Sequence, residues 1–368
     1  YQLEAGDSRS DWDSKQTQDV VVQNDPIKIA APITGRKATG RLEDWVPSYM
    51  KTYGLRTAGI AVIENSEISY LKTFGKEADG DPANDDTRFR VASITKPITT
   101  MTLMRLIEMG LWDLDTPLSR YWVDPDLEED PRHEALTTRL AFRHLTGLPN
   151  WRRRPGLSFL YEPGTIQSYS GEGFQYARRA VEAATGKTLE DLARTNVFDP
   201  AGMTDTSYQW SDAKAHRFAG EYFGSGAQVN HYKGDGINAA ANLLSTPRDL
   251  ARFAQWMVAE YDRQPDWWAE MTTPNGYAVI DPTSQAPERF GLGWSVHKRD
   301  GVTVIEHSGG QNGIRTHLII IPEQKKALVV LTNSSAGWPF IRSVFDATLN
   351  RNGELAETGN ALYGDVKF

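Results

Sequence analysis

Apolar and polar residues change rhythm three times along this chain. Arg41 to Tyr53 places Leu42, Trp45, Val46 and Tyr49 at helical spacing, with Gly54 as a stop signal, which predicts a helix. Two β-rich runs follow, Ala58 to Glu64 and Glu67 to Phe74, joined by Asn65 and Ser66 in the manner of a hairpin. From about residue 94 to 260 the pattern is mostly helical, punctuated by Pro117, Pro149, Pro163, Gly164 and Pro247. Strand rhythm returns at Gly291 to Val296, Val302 to Glu306, Ile314 to Ile321 and Ala327 to Thr332, before a helix at Ile341 to Asn350. Strands at both ends around a helical middle predict an α/β (α+β) fold. One antiparallel sheet is built from both chain ends and flanked by helices, and a mainly helical subdomain is inserted into it.

The same pattern divides the chain. Residues 1–40, rich in Asp, Ser, Gln and Thr with one apolar run at Val20 to Val22, read as an N-terminal arm. Residues 41–350 read as a single module, its α/β part at about 41–92 and 290–350 and its helical part at about 93–289. Residues 351–368 read as a C-terminal tail.

At 368 residues the chain is long enough for a large core, and its 39% hydrophobic and 24% charged residues are those of a folded protein. A net charge of −8 argues against nucleic-acid binding, since the one basic run, Arg152 to Arg154, is too short to follow a phosphate backbone. The most apolar segment, Leu318 to Leu331, is interrupted at Pro322 to Lys326, so no membrane span is expected. The absence of cysteine removes thiol nucleophiles, disulfides and thiolate zinc sites. None of the seven histidines has metal-ligand spacing, and neither metal nor cofactor is expected. The opening Tyr1 suggests a processed or trimmed chain, in which a removed export signal would be invisible.

A nucleophilic serine needs a neighbour to take its proton, and a lysine three residues on along a helix is within reach. Five Ser-x-x-Lys pairs occur: Ser48 with Lys51, Ser69 with Lys72, Ser93 with Lys96, Ser211 with Lys214 and Ser295 with Lys298. Ser69 and Ser295 lie in strand-like runs, where residues three apart face opposite ways. Ser48 and Ser211 lie in surface-like surroundings. Ser93 opens the apolar segment Ile94 to Met109, where a helix N-terminus and the serine's own N–H favour a developing oxyanion. From this segment alone, an ordinary helix cap and a solvated lysine are the favoured explanation of the pair.

Further segments lift that ambiguity. Phe89-Arg90-Val91-Ala92-Ser93-Ile94-Thr95-Lys96, Leu111-Trp112-Asp113-Leu114-Asp115-Thr116-Pro117-Leu118 and His144-Leu145-Thr146-Gly147-Leu148-Pro149 come in order. Glu162-Pro163-Gly164-Thr165 then leads into Tyr169-Ser170, and Gly291-Leu292-Gly293-Trp294 precedes His307-Ser308-Gly309-Gly310. Over roughly residues 41 to 350 the chain resembles the serine β-lactamase and penicillin-binding-protein superfamily, in its class C-like and family VIII esterase-like branch.

The resemblance implies a serine hydrolase that forms an acyl-enzyme on Ser93. Lys96 and Tyr169 move the proton, His307 lies on the strand forming one wall of the site, and the Ser93 and Gly310 N–H groups make the oxyanion hole. Ser308 and Gly309 line the same wall, and the aromatic and basic stretch from Trp151 to Arg154, with Trp112, Tyr121 and Trp122, is a candidate mouth of the cleft. Two departures bear on substrate. Gly171 stands where the family's Tyr-x-Asn motif has asparagine, and His307 replaces the lysine of Lys-Thr-Gly; both lean toward carboxylic esters. A β-lactam or D-residue amide substrate is the alternative chemistry, and a non-catalytic binding protein is the alternative from another class. The expected partner is a small-molecule ester or amide, and the resemblance implies an exported bacterial protein.

Overall fold

The computed structural model describes residues 41–210, 216–229, 236–274, 279–280 and 290–364. The expected arm at 1–40 and the Ser211 and Lys214 pair lie outside the described residues. Six strands form the main sheet: β1 (Thr57–Glu64), β2 (Glu67–Gly75), β3 (Ser295–Arg299), β4 (Val302–Gln311), β5 (Ile314–Ile321) and β6 (Lys326–Thr332). Their order is β2-β1-β6-β5-β4-β3, with every neighbouring pair antiparallel. The two chain ends meet where β1 pairs with β6, Ala58 opposite Thr332. The hairpin turn at Asn65 and Ser66 has φ of 53° and 66°, the left-handed pair that lets a two-residue loop match the strand twist.

The longer helices are α1 (Leu42–Tyr53), α2 (Thr95–Glu108), α3 (Gly171–Thr185), α4 (Pro247–Arg263), α5 (Trp338–Ala347) and α6 (Ala356–Tyr363). Side chains alternate across the sheet into two cores. In β6, Leu328 and Val330 join α1, α5 and α6, whereas Ala327, Val329 and Leu331 join α2, α3 and α4. Burial on both faces explains why residues 318–321 of β5 and 327–331 of β6 read as unbroken apolar runs.

Three expectations change. The strand expected at Gly291 begins only at Ser295; Gly293 takes φ 70°, and the Gly291 N–H closes a turn onto the Trp294 carbonyl at 3.0 Å. The stretch from 109 to 165 holds short 3₁₀ turns at Leu118–Arg120, Pro125–Leu127 and Pro131–Ala135 and one five-residue helix, Thr138–Phe142, rather than long helices. Asp124 and Asp130 cap turns that open on a proline, and each turn ends at once. Residues expected as a tail include α6, which buries Tyr363 and ties the Thr358 N–H and hydroxyl to Asp300 Oδ2 at 2.9 and 2.8 Å.

Candidate active site

Ser93 sits in a 3₁₀ turn, Ala92–Ile94, that leads directly into α2. Ala92 holds φ 48°, a left-handed conformation costly for alanine, and the surroundings impose it. The Val91 N–H donates to the Leu243 carbonyl (3.0 Å), and the Val91 carbonyl accepts from Thr316 Oγ1 (2.9 Å). Thr95 Oγ1 donates to the Ala92 carbonyl (2.6 Å) and accepts from the Leu243 N–H (3.1 Å). The turn is thus clamped between β5 and the segment before residue 244.

Lys96, one turn on, is fully buried (0% exposed). Its Nζ lies 3.3 Å from Ser93 Oγ and donates to the Ala240 carbonyl at 2.9 Å. Burial holds the amine well below the usual lysine range, toward the neutral form that can accept a proton. The amine already lies 4.5 Å from the centre of the Tyr169 ring and 5.6 Å from that of Phe174, suitable faces for the ammonium that would form.

Tyr169 precedes Ser170, the N-cap of α3, whose Oγ accepts from the Gly173 N–H (2.9 Å) and donates to the Pro149 carbonyl (2.9 Å). Beside it lies His144, fully buried, whose Nδ1 accepts the Ser170 N–H at 3.0 Å. Its Nε2 is buried with no hydrogen-bond partner among the described residues. Accepting at Nδ1 requires a lone pair there, so the ring is the neutral Nε2–H tautomer. Burial, then Lys96 and His307, hold it well below the usual histidine range. Sequence reading quoted His144 only as part of a landmark. It also missed Ala240, which acts through its carbonyl and so leaves no signature in residue type.

His307 lies on β4, 4% exposed, with Nδ1 2.8 Å from the Ser308 carbonyl and Nε2 buried without a partner among the described residues. Burial first, and Lys96 second, push it down to about 4, so it is uncharged at neutral pH. The ring is 6.2 Å from that of Tyr169 and 6.0 Å from that of Phe290. Gly309 explains how β4 reaches the Ser93 turn: a Cβ there would overlap Thr316 Oγ1 and the Val91 carbonyl and lie 3.3 Å from Ala92 Cβ. Ser308 and Gly310 flank it, both exposed.

The structure therefore brings together Ser93, Lys96, Tyr169, His307 and the Ser308–Gly310 strand, with His144 added. Trp151 lies against Gly171, two residues beyond Tyr169. Trp112 and Trp122 depart from the expected mouth. Trp112 is buried and donates to Thr138 Oγ1 (2.9 Å), and Trp122 packs on Tyr176 with ring centres 4.9 Å apart. Ser48 and Lys51 are exposed on α1, and Ser69 and Ser295 lie in strands. Among the described residues, no helix is long and apolar enough to cross a membrane.

The family model described as Beta-lactamase matches residues 42–345. The D-alanyl-D-alanine-carboxypeptidase/endopeptidase AmpH of Escherichia coli (strain K12) is 24% identical over 84% of this chain and 88% of its own. Penicillin-binding protein 4* of Bacillus subtilis is 23% identical over 78% of this chain and 70% of its own. Among solved structures, the octameric penicillin-binding protein homologue from Pyrococcus abyssi superposes with a TM-score of 0.70 at 22% identity, covering 84% of this chain and 77% of that one.

Proposed function

The chain belongs to the beta-lactamase family of serine hydrolases, and on that premise we propose that it is a carboxylesterase working through an acyl-enzyme on Ser93. The observation that carries this reading is a buried amine, driven toward neutrality, 3.3 Å from the serine hydroxyl. Ser93 Oγ attacks the ester carbonyl as Lys96 takes its proton, and the N–H groups of Ser93 and Gly310 receive the oxyanion. Collapse expels the alcohol, which takes back a proton through Tyr169. Water then adds to the acyl carbon, is deprotonated by the same base, and releases the acid and the Ser93 hydroxyl.

Two features support esters over amides. Position 171 offers no side-chain amide to hold an acyl-amide, and His307 supplies no fixed charge where the family motif has lysine. One observation favours a second reading, a carboxylate-bearing lactam or D-peptide. Arg315 pairs with Gly310 across β4 and β5, and a Cβ on Gly310 would lie 3.9 Å from its Nη1. That guanidinium donates to the Gln311 and Ile314 carbonyls at 2.6 Å and lies over Trp338, and no carboxylate is among its partners in the described residues.

The deciding experiment screens short-chain and aryl esters, a chromogenic cephalosporin and D-alanyl peptides with wild type and Ser93→Ala. Ester turnover lost in Ser93→Ala is the expected result, whereas turnover of amides or lactams alone favours the second reading. A fluorophosphonate that leaves no adduct on Ser93 by intact mass would show a binding protein instead.

A further inference from the structure

Gly171 is the first residue of α3, and its φ is not positive, so backbone conformation does not demand glycine there. Space does. A Cβ at this position would lie 2.7 and 2.8 Å from Cζ3 and Cη2 of the Trp151 indole and 2.8 Å from the Asn150 carbonyl oxygen. No side chain fits while residues 150 and 151 hold this path, and the Gly171 N–H holds them there through the Asn150 carbonyl and Oδ1, both at 3.0 Å. The indole thus occupies the ground that a side chain two residues after Tyr169 would otherwise cover.

The loop carrying Trp151 is fixed from three sides. The Arg152 N–H donates to Glu172 Oε1 at 3.1 Å. Its guanidinium pairs with Asp124, which is 1% exposed and also held by Arg179, and with Asp126 at 2.6 Å. Asp126 in turn accepts the Leu157 N–H at 2.8 Å. Arg152, expected at the mouth, is thereby committed to carboxylates, leaving the half-buried indole as the element presented beside Tyr169. The rings of Tyr169, Phe290 and His307 cluster at the same site, with centres 5.8 to 6.2 Å apart. The walls are aromatic, and His307 is uncharged at neutral pH.

We propose that Trp151 is the wall against which the acyl group packs, and that the preferred substrates carry an uncharged, apolar acyl chain or ring. This rests on Ser93 as the nucleophile, and it names the substrate class of that same site.

The test compares p-nitrophenyl acetate, butyrate, hexanoate and benzoate with wild type, Trp151→Ala and Trp151→Phe. Trp151→Ala is expected to lower the hexanoate-to-acetate ratio of kcat/KM by about tenfold, mainly through KM, with Trp151→Phe keeping most of it. A ratio unchanged in Trp151→Ala overturns the proposal. In parallel, alkyl fluorophosphonates of increasing chain length are timed by intact mass at Ser93. Chain-length selectivity that depends on Trp151, without any ester turnover, sinks the esterase reading and supports the acyl wall. Ester turnover with selectivity indifferent to Trp151 does the reverse. Trp151→Phe, with its smaller loss of volume, separates a lost wall from a misfolded loop.

Discussion

The imidazole of His144 lies 4.3 Å from the ring of Tyr169, with the two planes 32° apart, and its Nδ1 receives the N–H of the next residue, Ser170. One histidine therefore sets both the face and the backbone position of the proposed proton shuttle. His144→Phe keeps a ring but strands the Ser170 N–H, at a cost of about 1–3 kcal/mol, whereas His144→Asn still offers an acceptor. We expect kcat to fall about tenfold or more in His144→Phe with little change in KM, and to recover partly in His144→Asn. Equal losses in both variants, or a loss confined to KM, would rule out this positioning role.

The depressed basicity of Lys96 has a kinetic counterpart. An amine held well below the usual lysine range by burial is shifted toward its free-base form, so the acid limb of the kcat/KM profile should lie below the ordinary lysine range. Lys96→Arg keeps a cation but cannot supply a free base. We expect both Lys96→Arg and Lys96→Met to lose about a thousandfold in kcat/KM or more. Arginine supporting near-wild-type turnover would show that charge, not proton transfer, is what the position provides.

What could be read from sequence follows from the range of the interactions. Ser93 with Lys96 and the Asn65–Ser66 turn are local patterns, and each appears where spacing places it. The Lys96 bond to the Ala240 carbonyl spans 144 residues, and a carbonyl is common to every residue type, so no pattern announced it. Gly171 was legible as a missing asparagine. That Trp151 fills the space was not, because it depends on a loop held by Asp124, Asp126 and Glu172. The helix α6 was misread as a tail because residues 351–368 show little apolar periodicity, and its anchors, Asp300 and His317, lie more than forty residues away.

Burial of His307 should also appear in stability. Its folded value of about 4 lies below the ordinary 6.5, so between these limits the unfolded chain binds a proton that the folded protein refuses. The contribution is complete above pH 6.5 and is lost as pH falls toward 4, amounting to about 3 kcal/mol for a shift of this size. His144, depressed for the same reason, adds to the loss in the same direction. Urea midpoints measured from pH 7.5 to 4 should fall steeply in the wild type and less steeply in His307→Gln. Parallel curves would mean that His307 is not held neutral.

Behind His307, on the opposite face of β4, Glu306 sits in a buried chain that ends on the last helix. His317 Nε2 lies 2.9 Å from Glu306 Oε2, His317 Nδ1 lies 3.0 Å from the Tyr363 hydroxyl, and His297 Nε2 lies 3.4 Å from Glu306 Oε1. Burial alone would raise the Glu306 carboxyl, but hydrogen bonds from His297 and His317 reverse this and leave it well below the usual range. A carboxylate so placed stabilises the fold above its unfolded value near 4.5, and that contribution disappears as acid protonates it. Glu306→Ala leaves His317 Nε2 without its acceptor and His297 Nε2 with only Ser295 Oγ, and should cost about 3–5 kcal/mol, whereas Tyr363→Phe removes one hydrogen bond and should cost about 1 kcal/mol. Truncation after Asn350 removes α6 as a whole, exposing the His317 side of this chain and loosening the strand that carries His307, Gly309 and Gly310. We expect the truncated protein to melt several degrees lower and to lose kcat, with Tyr363→Phe intermediate in stability and near wild type in kcat. Truncation without change in either melting or turnover would show that α6 only decorates the sheet.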